Sequence, residues 1–134
     1  TTPELIKSNT LQSEALIIRT LPNDKSKKTM NYSSTNPIYF DVTCAKKIIS
    51  AGVKHLLIDL PSVDRESDNG ELAFHHKFWG VPNNPNFERT ITEMVFVDDI
   101  VLDGKYILNF HLAPFENDAS PSRPILYAIQ QERN

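Results

Sequence analysis

The chain has 134 residues, of which 40% are hydrophobic and 23% charged, a balance typical of folded globular proteins. The formal net charge of −3, without a basic stripe, argues against nucleic acid as a partner. No apolar run is long enough to span a bilayer, and the single cysteine, Cys44, excludes an internal disulfide and a cysteine-based zinc site. We therefore expect a single domain over residues 1–134 in a reducing compartment, the cytoplasm.

The first half of the chain predicts two buried strands separated by a loop and a helix. In chain order these are a strand over 14–21, a flexible polar loop over 22–37, a helix over 41–50 and a strand over 53–60. Asp41 predicts the N-cap of the helix, and Gly52 predicts its end. A helix, a glycine and then an apolar strand are typical of an α/β unit.

The second half predicts a short helix and three extended segments. Asp68 and Glu71 have the spacing of a capping box, so we expect a helix from there to Trp79. The extended segments are 90–97, 105–112 and 123–129, separated by turns rich in Gly, Pro, Asn and Ser. The sum is an α/β or mixed α+β domain with about five strands.

His75 and His76 are the first candidates for chemistry, because imidazoles bind zinc, manganese or iron at neutral pH. Neighbours on a helix point roughly 100° apart, so one ring can face a site while the other faces solvent. The alternative is that the pair is only a polar helix surface. His55 and His111 are expected to be packed or edge residues, and Cys44 a small buried side chain.

Glu93 is the second candidate, because it lies within an otherwise apolar run. If the run is a strand, Glu93 shares a face with Ile91 and Val95, where an unpaired carboxylate is costly. A cation held jointly with a histidine would compensate the charge. The alternative is that Thr90 and Glu93 form a capping box at the start of a helix.

Five separate blocks of the sequence occur in a distinctive order. They are Gly52–Asp64, His75-His76, Ile91–Glu93, Val101–Gly104 and Asp118–Pro124. Together they resemble the cyclase family that includes the bacterial kynurenine formamidases, arylformamidases that hydrolyse N-formylkynurenine in tryptophan catabolism. The resemblance covers roughly residues 14 to 129.

The resemblance implies a metal-dependent hydrolase of a C–N bond other than a peptide bond, or of a related ester, in a small-molecule substrate. It implies a β/β/α swivelling-domain-like fold and a homo-oligomer, a dimer or larger. His75 and Glu93 match metal-binding positions of the family, with zinc as the expected ion and manganese as the alternative. The side chains expected near the substrate are Asp59, Ser62, Asp64 and His76.

Two departures from the family pattern bear on these expectations. Residues 78–87 look inserted between His75 and Glu93, and the family motif His-x-Gly-Thr-His-x-Asp-x-Pro-x-His does not occur in the sequence. We therefore expect the chain to be the C-terminal portion of such a hydrolase, with a partial fold, weak metal binding and no activity alone. The alternative is a non-catalytic α/β interaction module with an exposed aromatic surface formed by Phe74, Phe78 and Trp79.

Overall fold

The computed structural model describes residues 13–129, which have a mixed α+β fold. Contacts within the chain divide it into two compact units, one running to Asp99 and one beginning at Ile100. The single domain expected over residues 1–134 stays a prediction, as does the swivelling-domain likeness. None of the helices between residues 13 and 129 has the length and hydropathy of a membrane-spanning segment.

The first unit contains a parallel three-stranded sheet. Its strands are β1 (Ala15–Ile18), β2 (His55–Ile58) and β3 (Thr90–Thr92), with β2 in the centre. Leu57 lies opposite Ile17 on one side and Thr92 on the other, and it is fully buried. This agrees with the continuous apolar run that predicted β2, because a central parallel strand is covered on both faces. All three strands are shorter than the sequence predicted.

Helix α1 (Val42–Ser50) confirms the helix that was predicted from its N-cap, Asp41, and from the glycine after it, Gly52. The Asp41 side chain accepts a hydrogen bond from the backbone N–H of Thr43 at 2.8 Å, and Gly52 follows the helix with φ of +82°. The predicted loop 22–37 contains one 3-10 helix, Lys25–Lys28, which begins after the N-cap Asp24. Helix α1, helix α2 (Ala73–Trp79) and β2 share the core. Its buried members are Phe40, Cys44, Ala45, Ile48, Val53, Leu56, Ile58, Leu60, Val63, Phe74 and Phe78.

The start of α2 differs from the predicted capping box. Leu72 occupies the N-cap in the left-handed region, with φ of +42°, and its side chain makes no cap hydrogen bond. The carboxylate of Asp68 instead supports the preceding turn, where it accepts from the N–H groups of Gly70 and Leu72. The carboxylate of Asp64 accepts from the N–H of Phe74 at 2.7 Å, so the acceptor for the first turn comes from an earlier loop.

The second unit is built on an antiparallel pair of strands. They are β4 (Tyr106–Asn109) and β5 (Ile125–Ala128), and both fall inside the predicted extended segments. Ile107 lies opposite Tyr127, and both side chains are exposed. With these two strands, residues 13–129 contain the five strands expected from the sequence.

Candidate functional site

A cluster of polar side chains lies where the carboxyl ends of β2 and β3 approach the start of α2. Ser62 and Asp64 follow β2, Glu93 follows β3 directly, and His75 lies in the first turn of α2. The carboxyl ends of neighbouring parallel strands meet at one edge of a sheet, which is where α/β folds place their ligand sites. The structure therefore brings together residues that are far apart in the sequence.

Asp64 anchors His75 on one side of the imidazole ring. A carboxylate oxygen of Asp64 lies 2.7 Å from His75 Nδ1, and the Asp64 side chain is only 7% exposed. Because an ionised carboxylate only accepts hydrogen bonds, Nδ1 carries the proton in this contact. In the neutral imidazole, the lone pair then resides on Nε2.

The Nε2 atom of His75 faces Glu93. It lies 3.6 Å from Oε1 of Glu93, which also accepts a hydrogen bond from the N–H of Val63 at 3.1 Å. Burial raises the pKa of the Glu93 carboxyl, while the Val63 N–H, His75 and the Ser62 side chain lower it.

Glu93 reaches this position because β3 is short. The strand ends at Thr92, and Met94 follows with φ of +60°, so the predicted strand over 90–97 and its alternation of faces stop before Glu93. The alternative capping box is also wrong, since Thr90 begins a strand and no helix starts there in the described part of the chain. The Val63 N–H offsets only part of the cost of burying the Glu93 carboxylate, because the pKa of that carboxyl stays above its usual value.

The pair formed by His75 and Glu93 has the chemistry of a cation site. A neutral imidazole with its proton on Nδ1 presents an acceptor to an ionised carboxylate, which is also an acceptor, and 3.6 Å is too long for a hydrogen bond. A shared proton or a shared metal ion would satisfy both atoms. Ligand distances to zinc of about 2.0–2.2 Å are compatible with this separation for two ligands of one ion.

The pair is only part of a metal centre. Between residues 13 and 129, no group of three or more His, Cys, Asp or Glu side chains is arranged to hold a metal ion. A catalytic zinc site has three protein ligands, and a structural one has four. The donor atoms of His75 and Glu93 therefore suit zinc or manganese, but a complete metal site requires at least one further ligand from elsewhere.

Asp59, expected near the substrate, makes its contacts elsewhere. The residue is only 4% exposed. Its carboxylate accepts hydrogen bonds from the N–H of Thr20 at 2.9 Å and from Lys27 Nζ at 2.8 Å. These contacts tie the loop after β1 to the end of β2. These contacts give Asp59 a structural role, and the position near the substrate that we expect for it stays a prediction.

The two adjacent histidines separate as the helical geometry predicts. The side chain of His75 is 14% exposed and lies in the cluster, whereas His76 is exposed. His76 is therefore not brought to the cluster with His75. His55 contacts Thr90 through Nδ1 at 2.9 Å, in keeping with a packed strand residue, and His111 is exposed in the second unit.

The aromatic side chains of α2 do not form the exposed surface expected for an interaction module. Phe74 and Phe78 are fully buried, with ring centroids 6.3 Å apart, so they belong to the core. Trp79 is half-buried, and its ring centroid lies 4.9 Å from that of His75. The sequence spacing indicates both pairs, because residues four apart on a helix share a face: Phe74 with Phe78, and His75 with Trp79. Trp79 therefore belongs to the wall of the site.

In comparisons with known proteins, no protein-family model and no curated protein matches the sequence. The family resemblance rests on the five sequence blocks.

Proposed function

We propose that the chain is part of a metal-dependent hydrolase of the kynurenine formamidase type, which cleaves a formamide or a related amide or ester bond in a small molecule. The observation that carries the proposal is the opposed pair of acceptors, His75 Nε2 and Glu93 Oε1, 3.6 Å apart. The five family blocks supply the class of substrate. The pair supplies two ligands of the expected type.

In this proposal each residue of the cluster has a defined task. His75 and Glu93 bind the divalent ion, which is zinc or, alternatively, manganese. When bound, the ion provides Lewis-acid chemistry, because it lowers the pKa of water and polarises a carbonyl group. The Val63 N–H orients the Glu93 carboxylate, the Ser62 side chain lowers the pKa of that carboxyl, and the Trp79 ring packs near the His75 ring.

The remaining ligands come from another segment or another chain in this proposal. The family motif that would supply them does not occur among the 134 residues. We accordingly propose a homo-oligomer, and the exposed apolar pair of Ile107 and Tyr127 supports it, because a two-stranded sheet is marginally stable without cover. The fully buried thiol of Cys44 is compatible with the cytoplasm.

The test is hydrolysis of an aryl formamide by the full gene product that carries this chain, in the presence of Zn²⁺. His75→Gln and Glu93→Gln should each lower the rate at least a hundredfold, because each removes a ligand. His76→Gln is the matched control, since it changes the neighbouring imidazole that is exposed, and its rate should stay close to wild type. Chelation by EDTA should abolish the activity, and fresh Zn²⁺ should restore it.

The alternative is a non-catalytic interaction module, and the incomplete ligand set favours it. It predicts no formamide hydrolysis with zinc or manganese, and equal oligomer formation by wild type and His75→Gln in analytical ultracentrifugation. Activity that survives both His75→Gln and Glu93→Gln would contradict the hydrolase site as proposed.

A further inference from the structure

We infer that Asp64 is a positioning residue: it fixes the tautomer and the orientation of the His75 ring, so that Nε2 faces Glu93 before any cation is present. The contact between Asp64 and the ring stands on geometry alone. Its consequence for cation affinity rests on the proposed function, since it requires a metal at His75 and Glu93.

Asp64 holds both the backbone and the ring of His75. One carboxylate oxygen accepts from the backbone N–H of His75 at 3.1 Å and also contacts the ring Nδ1 at 2.7 Å. The other oxygen accepts from the N–H of Phe74 at 2.7 Å. Because one oxygen binds two groups of the same residue, the ring is fixed relative to the axis of α2.

Asp64 is itself fixed. Its side chain is 7% exposed, and its backbone N–H donates to the Ser62 hydroxyl at 3.1 Å. The Trp79 ring also packs near the imidazole, with the two ring centroids 4.9 Å apart. The His75 ring is therefore held by two side chains, and little rotamer freedom remains to be lost when a cation binds.

The same carboxylate supports the start of α2. This helix has only seven residues, and its N-cap, Leu72, provides no side-chain acceptor. Asp64 supplies the acceptor for the first turn from outside the helix, so the formation of the helix and the orientation of His75 depend on one side chain. A test must separate these two effects.

The experiment compares Asp64→Asn with Asp68→Asn in the full 134-residue chain. Asp68 also supports the approach to α2, through the N–H groups of Gly70 at 2.9 Å and Leu72 at 2.8 Å, but it makes no contact with the His75 ring. Both variants should lose stability in urea unfolding. Only Asp64→Asn should change the tautomer of the His75 ring, because the Asn amide can donate to Nδ1 and allow the ring proton to move to Nε2.

Two quantities are measured. The ¹⁵N chemical shifts of the His75 ring report the tautomer, which should carry its proton on Nδ1 in wild type and in Asp68→Asn, and on Nε2 to a substantial extent in Asp64→Asn. Titration with ZnCl₂, followed at the same resonances, should show an affinity about 10- to 100-fold lower for Asp64→Asn than for the other two proteins.

A wild-type ring that carries its proton on Nε2 would overturn the inference without any variant, so the test does not depend on the folding of Asp64→Asn. A shift of tautomer in Asp68→Asn as large as that in Asp64→Asn would also overturn it, because the effect would then come from the helix start. If Asp64→Asn alone shifts the tautomer and zinc leaves His75 unchanged in every protein, the positioning role is supported and the proposed metal site is refuted.

Discussion

Replacing Lys27 with Met should destabilise the protein strongly, because Lys27 is the cation of a buried ion pair. Its Nζ lies 2.8 Å from Oδ2 of Asp59, and the two side chains are 12% and 1% exposed. The ammonium group also donates to the Thr20 carbonyl at 2.6 Å. Methionine keeps most of the apolar stem but leaves the Asp59 charge buried with the donors of Thr20 alone. Breaking such a pair costs about 3–5 kcal/mol, a large part of a total stability of about 5–15 kcal/mol.

Urea unfolding followed by circular dichroism measures this loss. Lys25→Met is the matched control, because Lys25 is 78% exposed and its Nζ lies 3.7 Å from Asp98, so its loss should be under about 1 kcal/mol. Adding Asp59→Asn to Lys27→Met removes the stranded charge and should restore part of the stability. If Lys27→Met loses no more free energy of unfolding than Lys25→Met, the ion pair between Lys27 and Asp59 does not stabilise the fold in this way.

Burial raises the pKa of the Glu93 carboxyl, so the folded protein binds this proton more tightly than the unfolded chain, and stability falls as the pH rises through the folded-state pKa. Glu93→Gln should therefore raise the urea midpoint at pH 7 and flatten its pH dependence; a lower midpoint would contradict this. Gly80→Ala should destabilise more than Gly70→Ala, because both glycines have positive φ but only at Gly80 would an added Cβ clash with a backbone oxygen, that of Asn84. Equal losses of stability in urea would refute the clash. Burial also raises the pKa of the Cys44 thiol, so a thiol reagent should label it only after unfolding, and rapid labelling of the native protein would show the burial to be wrong.

Features encoded within a few residues could be predicted from the sequence. Asp41 and Gly52 marked the two ends of α1, because capping and a left-handed terminus depend on local backbone groups. The central strand β2 was evident from its apolar run. The lengths of the strands were overestimated, since a strand ends where its neighbour stops pairing, and this depends on register rather than on composition.

Features that depend on contacts between distant segments were harder to predict. Asp68 had the spacing of a cap, but Asp64 provides the acceptor at the first turn of α2. Asp59 stands at a strand end, where ligand sites are common, yet its partner Lys27 lies 32 residues earlier in a polar loop. The sequence suggested His75 and Glu93 as separate candidates, and only the fold shows that the two side chains face each other.

A cation shared by His75 and Glu93 is tested most directly by a ZnCl₂ titration of the 134-residue chain, observed at the ¹⁵N resonances of the His75 ring. We expect zinc to shift Nε2 much more than Nδ1, with weak affinity, and we expect Glu93→Gln to weaken this response while His76→Gln preserves it. Zinc that leaves Nε2 unshifted, or that shifts it equally in wild type and Glu93→Gln, would contradict a cation shared by His75 and Glu93.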